Sequence, residues 1–486
     1  MFASLSDLSP HLRLYTGTVV CGAPIGTPEY VGEVIRDLVD SKAKVLPVLQ
    51  TMSSKQNQLY LLTRSISKNF VHVMRTVPCH SSSSAGEQMK RWDAQLVNLL
   101  QQISGVTSFD AYSIGVAALP PSQGGLGLGL TTNLADTCFV AGKLATARMA
   151  EGDITRGATV ASLLDLTKEP MYRTETEVHA AIDRLDVLKP GLRGRLLASG
   201  QGSSLRRQRV FTGETSMARR ADLLHSRGGY DPATHALLRS NAGNPHIFAS
   251  PSGGANALNL SNDELQTTVK RRLRHQLPAP NIGQCDASGL CDGCNRLGCA
   301  DDFGDSRLSC DAKKYITKFW HDPVARKLQD IARLCGLQCS HGVHAPRANL
   351  ASGLVTDVAI TGLLPEGGVL FVDVATATVT SKSATTTGDA AAVDGAAAAT
   401  AAHKKIGKHR DVVLSGNPLN GFTAFAVEEG GRIGRDAEEL IDALVRASSP
   451  DPTNWLAMKT YCMRSLATTT AKGVARVINR PLSLSL

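Results

Sequence analysis

Two short apolar segments, each with one central aspartate, constrain the fold of this chain more than any other feature. They read "VTDVAIT" at 355–361 and "GVLFVDVATATVT" at 368–380, and a "PEGG" turn joins them. Branched and apolar residues in runs of this length predict β-strands, and the Pro-Gly turn predicts a hairpin between them.

The second strand raises a question about its charge. Alternation along a strand places Asp373 on a mostly apolar face, beside Phe371 and Ala375, while Leu370, Val372 and Val374 share the opposite face. An unpaired charge on an apolar face is costly, so something is expected to bind it. A metal ion, a nearby Lys or Arg, and solvent at an edge strand remain three open alternatives.

The hairpin brings a second carboxylate, Asp357, next to Asp373, so that both can reach one divalent ion. Mg²⁺ prefers such oxygen ligands and leaves a bound water to attack a phosphodiester. Lys404, Lys405 or Lys408, on an Ala-rich helix that follows, can orient that water or neutralise transition-state charge. Two acids and a lysine therefore suggest metal-dependent cleavage, with an edge strand of solvated acids as the alternative.

Length and charge set broad limits. The chain has 486 residues, enough for two to four domains, and Lys plus Arg exceed Asp plus Glu by 52 to 43. This excess suits a polyanionic partner without requiring one. No long apolar run or signal-peptide pattern is seen, so a soluble, intracellular protein is expected.

The 11 cysteines are clustered, which favours a metal site in a chain without an export signal. Cys291 and Cys294 form a C-x₂-C pair typical of a zinc knuckle, and Cys310 is a third candidate ligand. The fourth remains open among Cys299, Cys285 and His321, and reduced free thiols are the alternative to a site.

The N-terminal part has helical periodicity, broken at "LPPSQGGLGLGL", where a turn is expected rather than a phosphate-binding loop. Ser261 and Glu264 predict a capping box for a helix that carries Lys270, Arg271 and Arg272, and Arg274 continues the basic run "VKRRLRH". That basic run indicates either a phosphate-contacting surface or a solvated helix face.

Several motifs in a fixed order resemble the open-reading-frame-two proteins of site-specific non-LTR retrotransposons, which join a reverse transcriptase to a restriction-like endonuclease. Within this group the resemblance leans towards the spliced-leader-associated elements of trypanosomatids. The motifs are "CGAPIGTPEYV", "LYLLTRSISKNFVHVMRTVP", "LPPSQGGLGLGL", "LSNDELQTTVKRRLRHQLP", "CDGCNRLGCADDFGDSRLSC", "WHDPVARKL", "VTDVAIT", "FVDVATA", "KKIGKHR" and "FTAFAVEEGGRIG".

The resemblance implies a multidomain protein with a mostly α-helical N-terminal half, a small Cys-rich zinc knuckle and a C-terminal α/β restriction-endonuclease-like domain. The expected segments are a reverse-transcriptase thumb remnant at 1–135, a helical basic linker region at 136–280, the knuckle at 281–311, the endonuclease domain at 312–447 and a tail at 448–486.

The resemblance also implies residue roles. The endonuclease acids fall on Asp357 and Asp373, and the catalytic lysine falls on Lys405 or Lys408, with Mg²⁺ as cofactor. DNA and element RNA are the expected partners, in the nucleus. Structural Zn²⁺ is expected on Cys291, Cys294, Cys299 and Cys310, and nucleic-acid contacts on Lys270, Arg271, Arg272, Arg274 and His321.

The chain also departs from the family pattern. Ser306 stands where the family knuckle has a histidine, Thr356 replaces the proline before the first acid, and His409 takes an aromatic position. No Asp-Asp pair in a polymerase-palm context is found, so polymerisation is not expected. Two further hypotheses are a non-catalytic nucleic-acid-binding relic and an unstable pseudogene product.

Overall fold

The structure is a computed structural model that describes residues 16–80, 82–150, 173–192, 194–195, 204–225, 231–248, 251, 258–277, 301–310, 313–344, 355–381 and 384–479. Within these residues, no helix combines the length and apolar character that crossing a bilayer requires.

The chain divides into two compact units that are discontinuous in sequence, whereas the sequence predicted five consecutive segments. Unit 1 comprises Met1–Met52, Leu61–Gln102 and Leu128–Asp222; unit 2 comprises Ser53–Tyr60, Ile103–Gly127 and Leu223–Leu486.

The N-terminal half is helical, as predicted, apart from one antiparallel hairpin of strands β1 (Gly17–Val20) and β2 (Ala23–Gly26). Its described helices are α1 (Pro28–Ala43), α2 (Val45–Gln50), α3 (Lys55–Arg64), α4 (Val71–Thr76), α5 (Ser84–Ser104), α6 (Ala111–Ala118), α7 (Thr131–Ala150), α8 (Arg173–Leu188) and α9 (Ser204–His225).

Helix starts in unit 1 follow local chemistry. The hydroxyl of Thr27 caps α1 by accepting a hydrogen bond from the Tyr30 N–H, and Pro28 occupies the first turn, where no N–H is needed. The buried carboxylate of Asp93 accepts hydrogen bonds of 2.7–2.9 Å from the N–H and hydroxyl groups of Thr131 and Thr132 at the start of α7. A negative charge at a helix N-terminus is stabilising.

The glycine-rich segment 119–130 forms a turn, as predicted. A 3₁₀ turn at Pro121–Gln123 leads into Gly124 and Gly127, which have φ of 96° and 79°. These left-handed conformations favour glycine because it has no Cβ.

The C-terminal part combines helices with a small mixed sheet of strands β3 (Gln338–His344), β4 (Val355–Thr361), β5 (Val369–Ala377) and β6 (Gly421–Glu428). Strand order is β3-β4-β5-β6, antiparallel except for the parallel pair β5 and β6. The helices are α10 (Pro232–Ala242), α11 (Asn262–Arg272), α12 (Asp305–Leu308), α13 (Lys313–Ile316), α14 (Asp322–Leu334), α15 (Ala384–Ala392), α16 (Ala396–Gly416), α17 (Arg435–Ser448) and α18 (Trp455–Asn479).

The predicted hairpin of β4 and β5 is confirmed, and both faces of the sheet are covered. Leu370, Val372 and Val374 pack into a core with residues of α14, α17 and α18. Phe371 and Ala375 face α16 on the other side, where they contact Val413 and Ala402 respectively. Asp373 shares this second face, and its residue is only 3% exposed.

The segment expected to be a tail contains the buried helix α18. Its small residues allow close packing: a Cβ added at Gly473 would lie only 2.7 Å from the carbonyl oxygen of Phe319 and 3.0 Å from the Cβ of Trp320. Close approach through small side chains gives no strong hydropathy signal, and this explains why the pattern did not predict a core helix.

A π-helical turn at Thr317–His321 separates α13 from α14. Trp320 lies in the core, fully buried, and His321 points to the β5 face of the sheet, where its ring contacts the Val374 carbonyl. Single π turns inside α-helices occur often at functional sites.

Candidate functional site

Asp357 and Asp373 converge between β4 and β5. They lie one step beyond Val358 and Val372, the last paired residues on that side of the hairpin. Because side chains alternate along both strands, the two aspartates share one face. Their carboxyl groups are close enough for Asp357 to raise the pKa of Asp373.

Helix α16 supplies two partners to Asp373. Lys405 Nζ lies 2.9 Å from Asp373 Oδ1, and His409 Nε2 lies 3.2 Å from Oδ2. Burial raises the pKa of Asp373 to about 6, the neighbouring Asp357 adds to this rise, and Lys405 opposes it. The site therefore contains a buried carboxyl group whose ionised form is only partly compensated.

Asp357 is held in its charged form. Burial opposes ionisation, but hydrogen bonds from His321 and from the Val374 N–H, 2.7 Å from Oδ2, keep its pKa well below the usual range. His321 Nε2 lies 3.3 Å from the same oxygen and 3.1 Å from the Val374 carbonyl, and Nδ1 lies 3.1 Å from Asp322 Oδ1. Although burial lowers it, these acceptors raise the pKa of His321 to about 9.

The alanines of α16 explain how its basic residues reach the sheet. Ala398 and Ala402 pack directly on Ala375, Ala424 and Ala426 of β5 and β6. Small side chains on both sides allow the helix axis to approach the strands closely, which brings Lys405 and His409 to Asp373.

The start of α16 is fixed from the neighbouring strand β6. Gly395 precedes the helix with a φ of 78°, and the buried carboxylate of Glu428 accepts a hydrogen bond of 3.2 Å from the Ala398 N–H. A carboxylate at this end also interacts favourably with the helix dipole.

A cleft of about 530 Å³ is lined by His321, Lys405 and His409, the basic partners of the two aspartates. Among the described residues that line it there is no Asp or Glu, so its walls are positively charged or neutral. The lining residues are Ile316, Thr317, His321, Val374, Ala375, Thr376, Thr378, Ala401, Lys404, Lys405, Lys408 and His409.

The acidic pair fits a metal that needs few protein ligands. In the described part of the chain, no group of three or more His, Cys, Asp or Glu side chains is arranged to hold a metal ion. Mg²⁺ is commonly bound through one or two carboxylates and completes its shell with water and substrate oxygens. The neighbouring carboxylates of Asp357 and Asp373 are consistent with that pattern.

The predicted zinc site gains no support. Cys291, Cys294 and Cys299, as well as Cys285, lie outside the described residues, and Cys310 is buried. Ser306, at the expected histidine position, donates its backbone N–H to Asp301, which also accepts the N–H groups of Phe303 and Asp305. Zinc binding remains a prediction about segments that the structure does not describe.

The basic run on α11 is buried rather than exposed, contrary to both alternatives left open by the sequence. Lys270, Arg271, Arg272 and Arg274 are all at most 8% exposed. Arg271 forms ion pairs with Asp305 and Glu429 at 3.0 and 3.3 Å, and Arg274 pairs with Asp305 at 2.7 Å.

Arg272 has a different set of partners, all of them backbone carbonyls within 3.5 Å. They belong to Pro121, Gly124, Gly125, Asn241 and Asn244. The glycine-rich turn thus directs carbonyl oxygens to a cation, which is the opposite polarity to a phosphate-binding loop. These buried side chains are structural, and the expected phosphate-contacting surface on α11 is wrong.

The sequence assigned no role at the site to His409, although it carried a usable signal. His409 follows Lys405 by four residues, a spacing that places both on one face of a helix. Lys408, the other candidate for the catalytic lysine, is exposed at the cleft, whereas Lys405 makes the ion pair with Asp373.

Comparison of the chain with models of known protein families and with curated proteins found no match.

Proposed function

We propose that unit 2 is a metal-dependent nuclease that nicks DNA, with Asp357 and Asp373 as its acidic pair and Lys405 as its catalytic lysine. The observation that carries this proposal is the position of the Lys405 ammonium, which contacts Asp373 next to Asp357 and also lines a cleft whose described lining has no acidic residue. The order of motifs shared with non-LTR retrotransposon proteins supports the same function.

Each residue has a role that its position supports. Asp357 and Asp373 would hold Mg²⁺, which when bound supplies Lewis acidity and an activated water. The Lys405 Nζ lies where it can stabilise the negative charge that develops on a phosphoryl group. His409 holds the second oxygen of Asp373 and so fixes the orientation of that carboxylate.

The wider biological setting follows from the resemblance. A nick in target DNA supplies the primer for reverse transcription of the element RNA, so DNA and RNA are both proposed partners. The nucleus is the proposed site of action, and a zinc knuckle on the cysteine cluster remains part of this proposal.

The direct test is nicking of supercoiled plasmid in the presence of Mg²⁺. Asp373→Asn and Asp357→Asn keep the side-chain shape but remove a charged ligand, so each is expected to reduce the nicking rate by about 100-fold or more. Asp411→Asn removes an exposed charge from α16 and is the matched control. Equal rates for Asp373→Asn and wild type, or no nicking by wild type, would refute the nuclease proposal.

One observation favours a second candidate, a nucleic-acid-binding protein without catalysis. Both acids already have basic partners, since His321 contacts Asp357 and Lys405 contacts Asp373. If those contacts persist in the presence of Mg²⁺, the acids do not bind the metal. The cleft then binds nucleic acid in a salt-dependent manner, and no cleavage accompanies binding. The plasmid assay combined with a binding assay separates the two candidates.

A further inference from the structure

Helix α16 carries two lysines that the acidic pair does not engage. Lys404 and Lys408 are exposed and line the cleft, while Lys405, between them in sequence, contacts Asp373. Four residues of α-helix rise about 6 Å, so the two ammonium groups project from one face, one turn apart.

The cleft concentrates this positive charge. Its described lining includes three lysines and two histidines and no acidic residue. A ligand for this cleft must therefore be an anion.

The distribution of charge also limits the shape of the ligand. All three lysines come from α16. The segment that ends in the π-helical turn contributes Ile316, Thr317 and His321, and the His321 ring is already bound by Asp357, Asp322 and the Val374 carbonyl. A duplex gripped on both sides needs uncompensated basic groups on two walls, whereas the described lining of this cleft offers them on one. One such wall matches a single phosphate backbone.

We propose that Lys404 and Lys408 bind successive phosphates of one nucleic-acid strand that runs along α16. Lysine suits this role because its flexible stem carries a compact charge with three donors. The strand would lie with a phosphate facing Lys405 and Asp373. This proposal rests on the proposed function only in taking the cleft as a nucleic-acid site, and it does not require cleavage.

The test measures binding of a short fluorescent single-stranded DNA by anisotropy, in EDTA and over a series of salt concentrations. Each phosphate contact to a single strand contributes about 0.7 to the slope of log K against log salt. Lys404→Gln/Lys408→Gln is expected to reduce the slope by about 1.4 and to weaken binding roughly 20-fold at moderate salt. Each single variant should give about half of the slope change.

The matched control is Arg410→Gln/Arg446→Gln, which removes the same charge from exposed positions of α16 and α17 outside the cleft lining. It should leave the slope close to that of wild type. The proposal is overturned if the lysine variant retains the wild-type slope, if the control loses as much, or if wild type binds no DNA. The binding assay contains no free metal ion, so it does not depend on cleavage. A failure of the nicking assay would therefore refute the proposed nuclease without changing this binding result.

Discussion

Helices α11 and α16 both carry clusters of basic residues, "VKRRLRH" and "HKKIGKHR", yet the structure uses them differently. The α11 side chains are buried and bind acceptors inside unit 2, including Asp305 and Glu429 for Arg271. The α16 lysines line an open cleft, and only Lys405 reaches a carboxylate. Composition alone does not distinguish a structural cation from a ligand-binding one.

The difference lies in how completely each charge is compensated. The Arg272 guanidinium is surrounded by carbonyl oxygens that satisfy its donors, although burial lowers its pKa to about 9. Asp373, in contrast, has a pKa raised to about 6, and its partners Lys405 and His409 both line the cleft. A poorly compensated carboxylate next to a cleft is a stronger functional candidate than an internal cation bound by several carbonyl oxygens.

The largest expected effect is on stability, from Arg272→Met. This change leaves several buried carbonyls of the glycine-rich turn and of α10 without a donor. Each buried carbonyl left without a donor costs about 1–3 kcal/mol, so the free energy of unfolding should fall by several kcal/mol. Urea unfolding measures the loss, and Lys408→Met, which removes an exposed charge, should stay within about 0.5 kcal/mol of wild type.

Arg272→Lys sharpens this comparison. A lysine retains the charge but has three donors instead of five and lacks the planar guanidinium. Its free energy of unfolding should therefore lie between those of wild type and Arg272→Met. If Arg272→Met and Lys408→Met lower the free energy of unfolding by the same amount, α11 does not have the structural role assigned to it.

The alternation of residues predicted the convergence of the acidic pair because the constraint is local. A hairpin joined by a short turn fixes both strands, and its period of two sets the faces of Asp357 and Asp373. Which lysine meets Asp373 was left open between Lys405 and Lys408. The choice depends on the rotation of α16 on the sheet, and that is set by contacts between alanines distant in sequence.

The burial of the basic side chains of α11 could not be predicted from the sequence, because it also depends on contacts with residues distant in sequence. The partners of Arg272 lie at 121–125 and 241–244, and Glu429 follows β6, so nothing within the basic run itself indicates that acceptors surround it. The capping box of Ser261 and Glu264, a local motif, was predicted and is confirmed.

Asp373→Asn is expected to change the free energy of unfolding less than Arg272→Met does, and to increase it rather than decrease it. The folded pKa of about 6 exceeds the usual value of 3.8, so the folded state binds a proton more tightly than the unfolded chain. The stability contributed by protonated Asp373 is fully present below pH 3.8 and is lost as pH rises through about 6. The asparagine variant should therefore be more stable than wild type at pH 8, by about 3 kcal/mol.

Urea unfolding at pH 4 and pH 8 checks the sign of this effect, with Asp411→Asn as the control for a lost surface charge. The gain in stability of Asp373→Asn over wild type should nearly vanish at pH 4, because wild-type Asp373 is then largely protonated in the folded state. A variant that is less stable than wild type at pH 8 would show that Asp373 is a well-compensated structural charge, like those of α11.

The smallest expected effect is a change in the pKa of Asp373, and it distinguishes Lys405 from Lys408 on α16. Lys405 lowers the pKa of Asp373 because its ammonium lies 2.9 Å from Oδ1. Lys405→Met should therefore raise that pKa by about one unit, within the range typical of an opposite charge at this distance. Lys408→Met removes a cleft charge without that contact and should leave the pKa nearly unchanged. Carboxyl ¹³C NMR titration of Asp373 measures both, and equal shifts in the two variants would mean that the acid senses the general field of α16 rather than one specific partner.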